Sequence, residues 1–324
     1  MIKIKGIEIY HSDNKVGNEK YLENNEEHRY FLENVLGKKN RYIKDEKEHT
    51  LSYMKKAAEK VLKNNNLTGQ DIDMVVCATQ TPEFLIPTMS AVLHNYLNVK
   101  TDSAFYDINV ACIGMVFAFD QAYNMMLNSK DLNRVLIVGC DLLEQYVYEK
   151  SNNYGNFGDL ACAIILEKDY KENGSRIIAT KHFADTTQKH CMMFPPFKLS
   201  QLINGATIDE EFKMVFSDNL SANFPLAKEN LTKILEQNNV DSSEIAMLCT
   251  TQGAFVALES IRKHLNIPEE RSLFVGKDYG YNACSSPFVV LYEALQKGLV
   301  KRGDKVLFWT YGAGCQHIIT LIEF

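Results

Sequence analysis

The sequence predicts an α/β protein built from a duplicated unit, and three observations carry that prediction. Short apolar, β-branched runs alternate with helix-length segments; the runs fall into two series; and the two series align on each other at a nearly constant offset. With 324 residues, 46% of them hydrophobic, the chain can bury a large core.

In the first series the runs are DMVVCATQ (73–80), SAFYDIN (103–109), RVLIVGC (134–140) and CAIILE (162–167). Each has the length of a strand, and the helix-length spacers argue for a largely parallel or mixed sheet covered on both faces. The second series is AMLCTTQ (246–252), SLFVGKD (272–278), KVLFWTYG (305–312) and HIITLIEF (317–324). NNLTGQDIDMVVCAT at 65–79 aligns without a gap on NNVDSSEIAMLCTTQ at 238–252. NRVLIVG at 133–139 answers DKVLFWT at 304–310, and the helix from Phe117 answers the one from Phe288. Duplication of a βαβ-type unit is the economical explanation. The expected organisation is therefore one half over 1–173, a second over 230–324, and a connecting segment over 174–229. Pro195 and Pro196 forbid a regular element within that segment, so it is expected to loop over the sheet end and shape a pocket.

Composition narrows the function. A formal charge of −6 leaves no basic footprint for nucleic acid or an anionic membrane surface. No window approaches the ~18 consecutive apolar residues of a membrane span, and MIKIKGIEIYHSDNK at the amino terminus lacks a signal-peptide core. A cytoplasmic protein is expected. The eight cysteines are scattered through apolar runs without metal-ligand spacing or a disulfide framework, so no metal and no cofactor are expected.

Cys112 stands apart from the other cysteines. In FYDINVACIGMVFAFDQAY (105–123) a strand ends near Asn109 and a helix begins just after the cysteine. Its sulfur would sit at the positive end of a helix dipole, which lowers a thiol pKa and favours the thiolate. Gly114 would leave room for a chain to approach.

DINVACIGMVFAFDQAY, FGDLACAIILE, NACSSPFVVLYEAL and WTYGAGCQHIITLIEF together resemble the β-ketoacyl-acyl-carrier-protein synthase III branch of the thiolase-like superfamily, over the whole chain. The resemblance implies a five-layered αβαβα fold, a homodimer or a heterodimer with a homologue, and Cys112 as the nucleophile. It implies an acyl thioester substrate, carried by coenzyme A or an acyl carrier protein, and condensation of the acyl group with a malonyl thioester. In such enzymes a histidine opens an HQAN-like motif; here that stretch is TQGA, so Thr251 holds the histidine position. The condensing asparagine sits in a GNTSAAS-like turn; here the turn reads GYNACSS, with Tyr281 in its place and Asn282 one residue late.

The same resemblance leaves loading intact, since the Cys112 amide and an amide near Gly314 in YGAGC (311–315) would form an oxyanion hole. His317, and less readily His190, are the candidates for a substitute base; Asn282 is the candidate for a displaced asparagine. Glu83 lies in a loop that carries a catalytic glutamate in some relatives, though offset from it, and a solvated carboxylate is the favoured reading. Donor recognition departs from the pattern: NVLGKKNRYI (34–43) keeps Gly37 and Arg41 but not the earlier arginine, and Trp309 belongs to the sheet. Arg262 and Lys263 match part of a carrier-docking surface or are an ordinary solvated helix face.

The sequence thus supports an acyltransferase that forms an acyl-Cys112 thioester and passes the acyl group to an acceptor in fatty-acid-like or specialised biosynthesis. Two alternatives stand beside it: a catalytically reduced partner subunit of a heteromeric complex, and an ordinary decarboxylative synthase.

Overall fold

The computed structural model describes residues 1–22, 25–169, 175–203, 212–216 and 224–324. Nine strands form its two large sheets: β1 (Ile2–Tyr10), β2 (Met74–Ala78), β3 (Ala104–Ile108), β4 (Arg134–Asp141), β5 (Leu160–Lys168), β6 (Arg176–Ala184), β7 (Ile245–Thr250), β8 (Lys305–Gly312) and β9 (Gln316–Glu323). The first sheet has the order β1-β5-β4-β2-β3, the second β7-β8-β9-β6. β2 runs parallel to β3 and β4, as β7 does to β8, while the remaining pairings are antiparallel. Seven of the eight strand-like runs read from the sequence form strands, and the two halves repeat one pairing pattern.

The eighth run, 272–278, forms no strand. Its Gly276–Tyr279 stretch is a helical turn, because the buried Gln252 side chain occupies the hydrogen bonds that pairing would use. Gln252 Oε1 accepts from the Gly276 amide at 3.1 Å and Gln252 Nε2 donates to the Leu273 carbonyl at 3.4 Å. Conversely, β1 and β6 lay outside both series. Ile2, Ile4 and Ile9 are buried while the residues between them are not, an edge-strand pattern in which Lys3 and Lys5 pair with Glu167. β6 falls inside the segment 174–229 and completes the second sheet through β9.

Five layers follow from period-two alternation. On β2, Val75 and Cys77 face an outer layer while Met74, Val76 and Ala78 face the centre; on β8, Phe308 faces the centre and Leu307 and Trp309 the other outer layer. The first outer layer holds α1 (Thr50–Asn64) and α2 (Met89–Tyr96). The central layer holds α3 (Gly114–Asn128); the second outer layer holds α4 (Phe224–Gln237) and α5 (Phe255–His264); and α6 (Ser286–Gln296) lies beside α3. The central helices are apolar around most of their circumference, as two facing sheets require. Phe119 meets Phe288 edge-on at 5.8 Å and Phe288 meets Phe308 at 5.1 Å. Each such buried ring contributes roughly 1.5–3 kcal/mol of transfer free energy. No helix among the described residues is long and apolar enough to cross a membrane.

Candidate active site

The heads of α3 and α6 emerge at one end of the central layer, where the parallel strands also end. Open α/β sheets place their sites at such strand ends. Before α3, Ala111 adopts a left-handed conformation (φ +51°) and Val110 bridges to Cys112, turning the chain sharply into the helix. Cys112 is 4% exposed and lines a cavity of about 1150 Å³. Phe31, Met192, Met214, Phe216, Tyr281 and Tyr311 supply much of its apolar wall.

The positions assigned to the missing histidine and asparagine converge on this cysteine. Thr251 Oγ1 donates to the Tyr281 hydroxyl at 2.9 Å, and the Tyr281 hydroxyl faces the Cys112 sulfur, where it favours the thiolate. The result is a chain of two hydroxyls ending on the thiol. Gln80, which the sequence did not single out, donates to the sulfur from Nε2 at 3.7 Å. Gln80 is itself fixed by Asp141, whose Oδ1 accepts from its amide at 2.6 Å and whose Oδ2 accepts from Nε2 at 3.1 Å. The signal was positional: Gln80 follows β2 and Asp141 ends β4, at the same sheet end as Cys112.

Electrostatics correct one expectation. Burial pushes the Cys112 thiol up to about 11; the Tyr281 hydroxyl opposes this, the Asp141 carboxylate adds to it, and Gln80 and the Ala313 amide oppose it more weakly. At neutral pH the resting sulfur is a thiol, because removing it from water outweighs the donors gathered around it.

The 311–315 turn, expected to supply an oxyanion amide, lies against Cys112. Its Ala313 amide helps to favour the thiolate of Cys112, while Gly314 supplies the left-handed bend (φ +82°). Gly312 is the glycine that close approach requires: a Cβ there would stand 3.0 Å from Ala111 Cβ and 3.1 Å from the Cys112 amide nitrogen. Gly114, expected to leave room for a chain to approach, packs on Ala78 and Cys284, where a Cβ would make ordinary 3.5 Å contacts.

Neither substitute proposed for the catalytic pair reaches the site. His317 lies opposite Tyr311 on β9 and stacks on Phe183 at 4.5 Å, where burial holds its pKa down at about 4. Its ring belongs to an aromatic stack on the outer face and does not line the cavity. Asn282 is fully buried and donates to the Gly158 and Tyr279 carbonyls, holding the turn in shape. His190 is exposed.

The remaining candidates have structural employment. Glu83 accepts from the first amide of α1, at Thr50, at 2.8 Å. Arg41 is wholly buried, donates to Asn18 and covers the Tyr21 ring, so it is no surface ligand for a donor phosphate. Arg262 grips Glu259 with two hydrogen bonds and the Ile267 carbonyl with a third, leaving Lys263 as the exposed charge of that pair. Trp309 is buried in β8. Among the described residues no three His, Cys, Asp or Glu side chains are grouped to hold a metal ion.

Residues 106–186 match the family described as 3-oxoacyl-[acyl-carrier-protein] synthase III, and residues 235–324 match the C-terminal family of the same name. The β-ketoacyl-[acyl-carrier-protein] synthase III of Aquifex aeolicus is 28% identical over 327 residues, 99% of each chain. That of Clostridium perfringens is 26% identical over 99% of this chain and 98% of its own. The crystal structure of the Aquifex aeolicus synthase superposes with a TM-score of 0.86 at 25% identity over the full length of both chains. The Thermus thermophilus synthase III superposes with a TM-score of 0.85 at 21% identity over 99% of both chains, a likeness of fold.

Proposed function

Since the chain belongs to the 3-oxoacyl-[acyl-carrier-protein] synthase III family and has its thiolase-like fold, we propose that it is an acyltransferase loading an acyl group onto Cys112 without efficient decarboxylative condensation. The observation that carries this reading is the donor set. Tyr281, Gln80 and the Ala313 amide are directed at the sulfur. In loading, the sulfur attacks the thioester carbonyl of a carrier-protein or coenzyme A thioester. The Cys112 and Ala313 amides stabilise the oxyanion, and the cysteine proton leaves with the departing thiol. The apolar cavity holds the acyl chain. The acceptor is a carbon, oxygen or nitrogen nucleophile that meets the acyl-cysteine there.

Decarboxylation of a malonyl thioester makes a different demand, two donors on the enolate oxygen. Thr251 and Tyr281 take those positions but spend their hydroxyls on each other and on sulfur. Each well-placed donor lost costs about 10²–10³-fold in turnover. Purified protein given an acyl thioester and labelled malonyl carrier should therefore gain the acyl mass at Cys112 while releasing carbon dioxide at least about 10²-fold more slowly than a histidine-containing homologue. Release at the homologue's rate would return it to the ordinary decarboxylative synthases.

The raised thiol favours a second reading, a catalytically reduced subunit paired with an intact homologue. Failure to load any acyl thioester while accelerating a homologue's turnover would select it. In either case a two-chain assembly is proposed. β3 is an open sheet edge against which α2 packs, and in the loop before α2 Leu85 and Ile86 are 73% and 90% exposed, an apolar tip that a second chain would cover. A monomer by light scattering at micromolar concentration would overturn the assembly.

A further inference from the structure

The turn that carries the Ala313 amide also carries the thiol of Cys315. Cys315 follows Gly314 in a left-handed conformation (φ +60°), with its amide bonded back to the Gly312 carbonyl at 2.9 Å. Its sulfur lies 3.7 Å from the sulfur of Cys191, a residue 124 positions away in the chain. Cys191 belongs to the segment over the sheet end, directly before Met192, which lines the cavity. The pair therefore joins the oxyanion turn to the pocket wall. Both thiols are buried, yet a Cβ added at Gly314 would meet nothing within 4 Å, so open space lies alongside.

We propose that Cys191 and Cys315 form a redox-modification site that a small hydroperoxide closes to a disulfide, slowing acyl loading of Cys112. One sulfur attacks the terminal oxygen of the hydroperoxide; the O–O bond breaks, leaving a sulfenic acid and an alcohol, or water when the oxidant is hydrogen peroxide. The second sulfur then displaces the sulfenic oxygen as water and the S–S bond forms. The two thiol protons end in the alcohol and the water, and the sulfurs supply the electron pair that reduces the peroxide.

The consequence for the site is geometric. A disulfide needs its sulfurs about 2.05 Å apart, so closure draws the two segments together by well over an ångström. Gly312 has no room to follow, being packed against the Ala111 side chain and the backbone of Val110 and Cys112. The movement is taken up at Ala313 and Gly314, displacing the amide directed at the sulfur. A misplacement of about 1 Å in such a group can cost about 10²-fold in rate.

The inference rests on Cys112 loading for its effect on rate but not for the cross-link, so the test has two arms. In the first, full-length Cys112→Ser protein is treated with hydrogen peroxide and digested without reductant. A peptide pair joining Cys191 to Cys315, lighter by two hydrogens and released by dithiothreitol, is expected; its absence, or linkage of other cysteines, overturns the site. In the second, oxidised and reduced wild-type protein are compared in acyl loading. A slowing of tenfold or more, reversed by dithiothreitol and lost in Cys191→Ser or Cys191→Ala, is expected. A smaller slowing, or an equal one in the Cys191 variants, overturns the link to loading. Wild-type protein that does not load even when reduced would refute the acyltransferase reading and with it the link to loading, while leaving the first arm to decide the site.

Discussion

The two halves of the molecule each build the same elbow, and only one of them opens on a cavity. Ala111 and Ala283 both hold positive φ, +51° and +40°; each precedes a cysteine, and each pair stands just before a helix of the central layer. Yet Cys112 faces the pocket while Cys284 is 0% exposed, its sulfur donating to the Ala78 carbonyl and its amide bonded to Asp141. A strained turn at a helix head thus prepares a cysteine without making it reactive. What lies across from the sulfur decides. Asp141 joins the two elbows, holding the Cys284 amide with the same carboxylate that fixes Gln80 beside Cys112.

The largest expected effect breaks the pair apart. Cys112→Ala should abolish the acyl adduct detected by intact-protein mass, whereas Cys284→Ala should leave it in place. An adduct that survives the first change, or vanishes with the second, would mean that the wrong elbow has been assigned.

A second measurement sharpens the difference in environment. Burial disfavours the anion of Cys112, so its thiolate fraction at neutral pH is small and grows about tenfold per pH unit until pH approaches about 11. Loading, corrected with a Cys112→Ala blank, should rise in that proportion between pH 8 and 10. Tyr281→Phe removes the hydroxyl that favours the thiolate. A hydrogen bond to a charged group is worth about 1.5–3 kcal/mol, so this variant should load about 10–100-fold more slowly at pH 8 and move the inflection upward. A profile already flat at pH 8 would reveal a base acting on the thiol.

The smallest effect tests whether the elbows are equivalent as backbone. Glycine relieves a left-handed alanine by about 1–2 kcal/mol but costs about 0.5–1 kcal/mol in chain entropy. Ala111→Gly and Ala283→Gly should each shift stability in guanidinium titrations by about 1 kcal/mol or less, in the same direction. Valine, β-branched and poorly tolerated at positive φ, should destabilise both more. Opposite signs for the two glycine variants would show that the halves share topology but not strain.

The sequence by itself determined the strand-length runs, their duplication and the turn that presents Cys112, because these depend on periodicity and local backbone preference. It also aligned Thr251 and Tyr281 with the positions that meet the cysteine. The missed strand β1 shows where that legibility stops: an edge strand with ion-paired lysines keeps too few buried positions to read as sheet. Tertiary structure alone decided the rest. It turned His317 into an aromatic stack, buried Arg41 against Tyr21, set the Ala313 amide beside the Cys112 sulfur and brought Cys191 to Cys315. It also reversed the expected state of Cys112. The physical reason is common to all of these: hydrogen bonding, desolvation and sulfur contacts depend on atoms brought close through space, and residues from about twenty to about two hundred positions apart supply them.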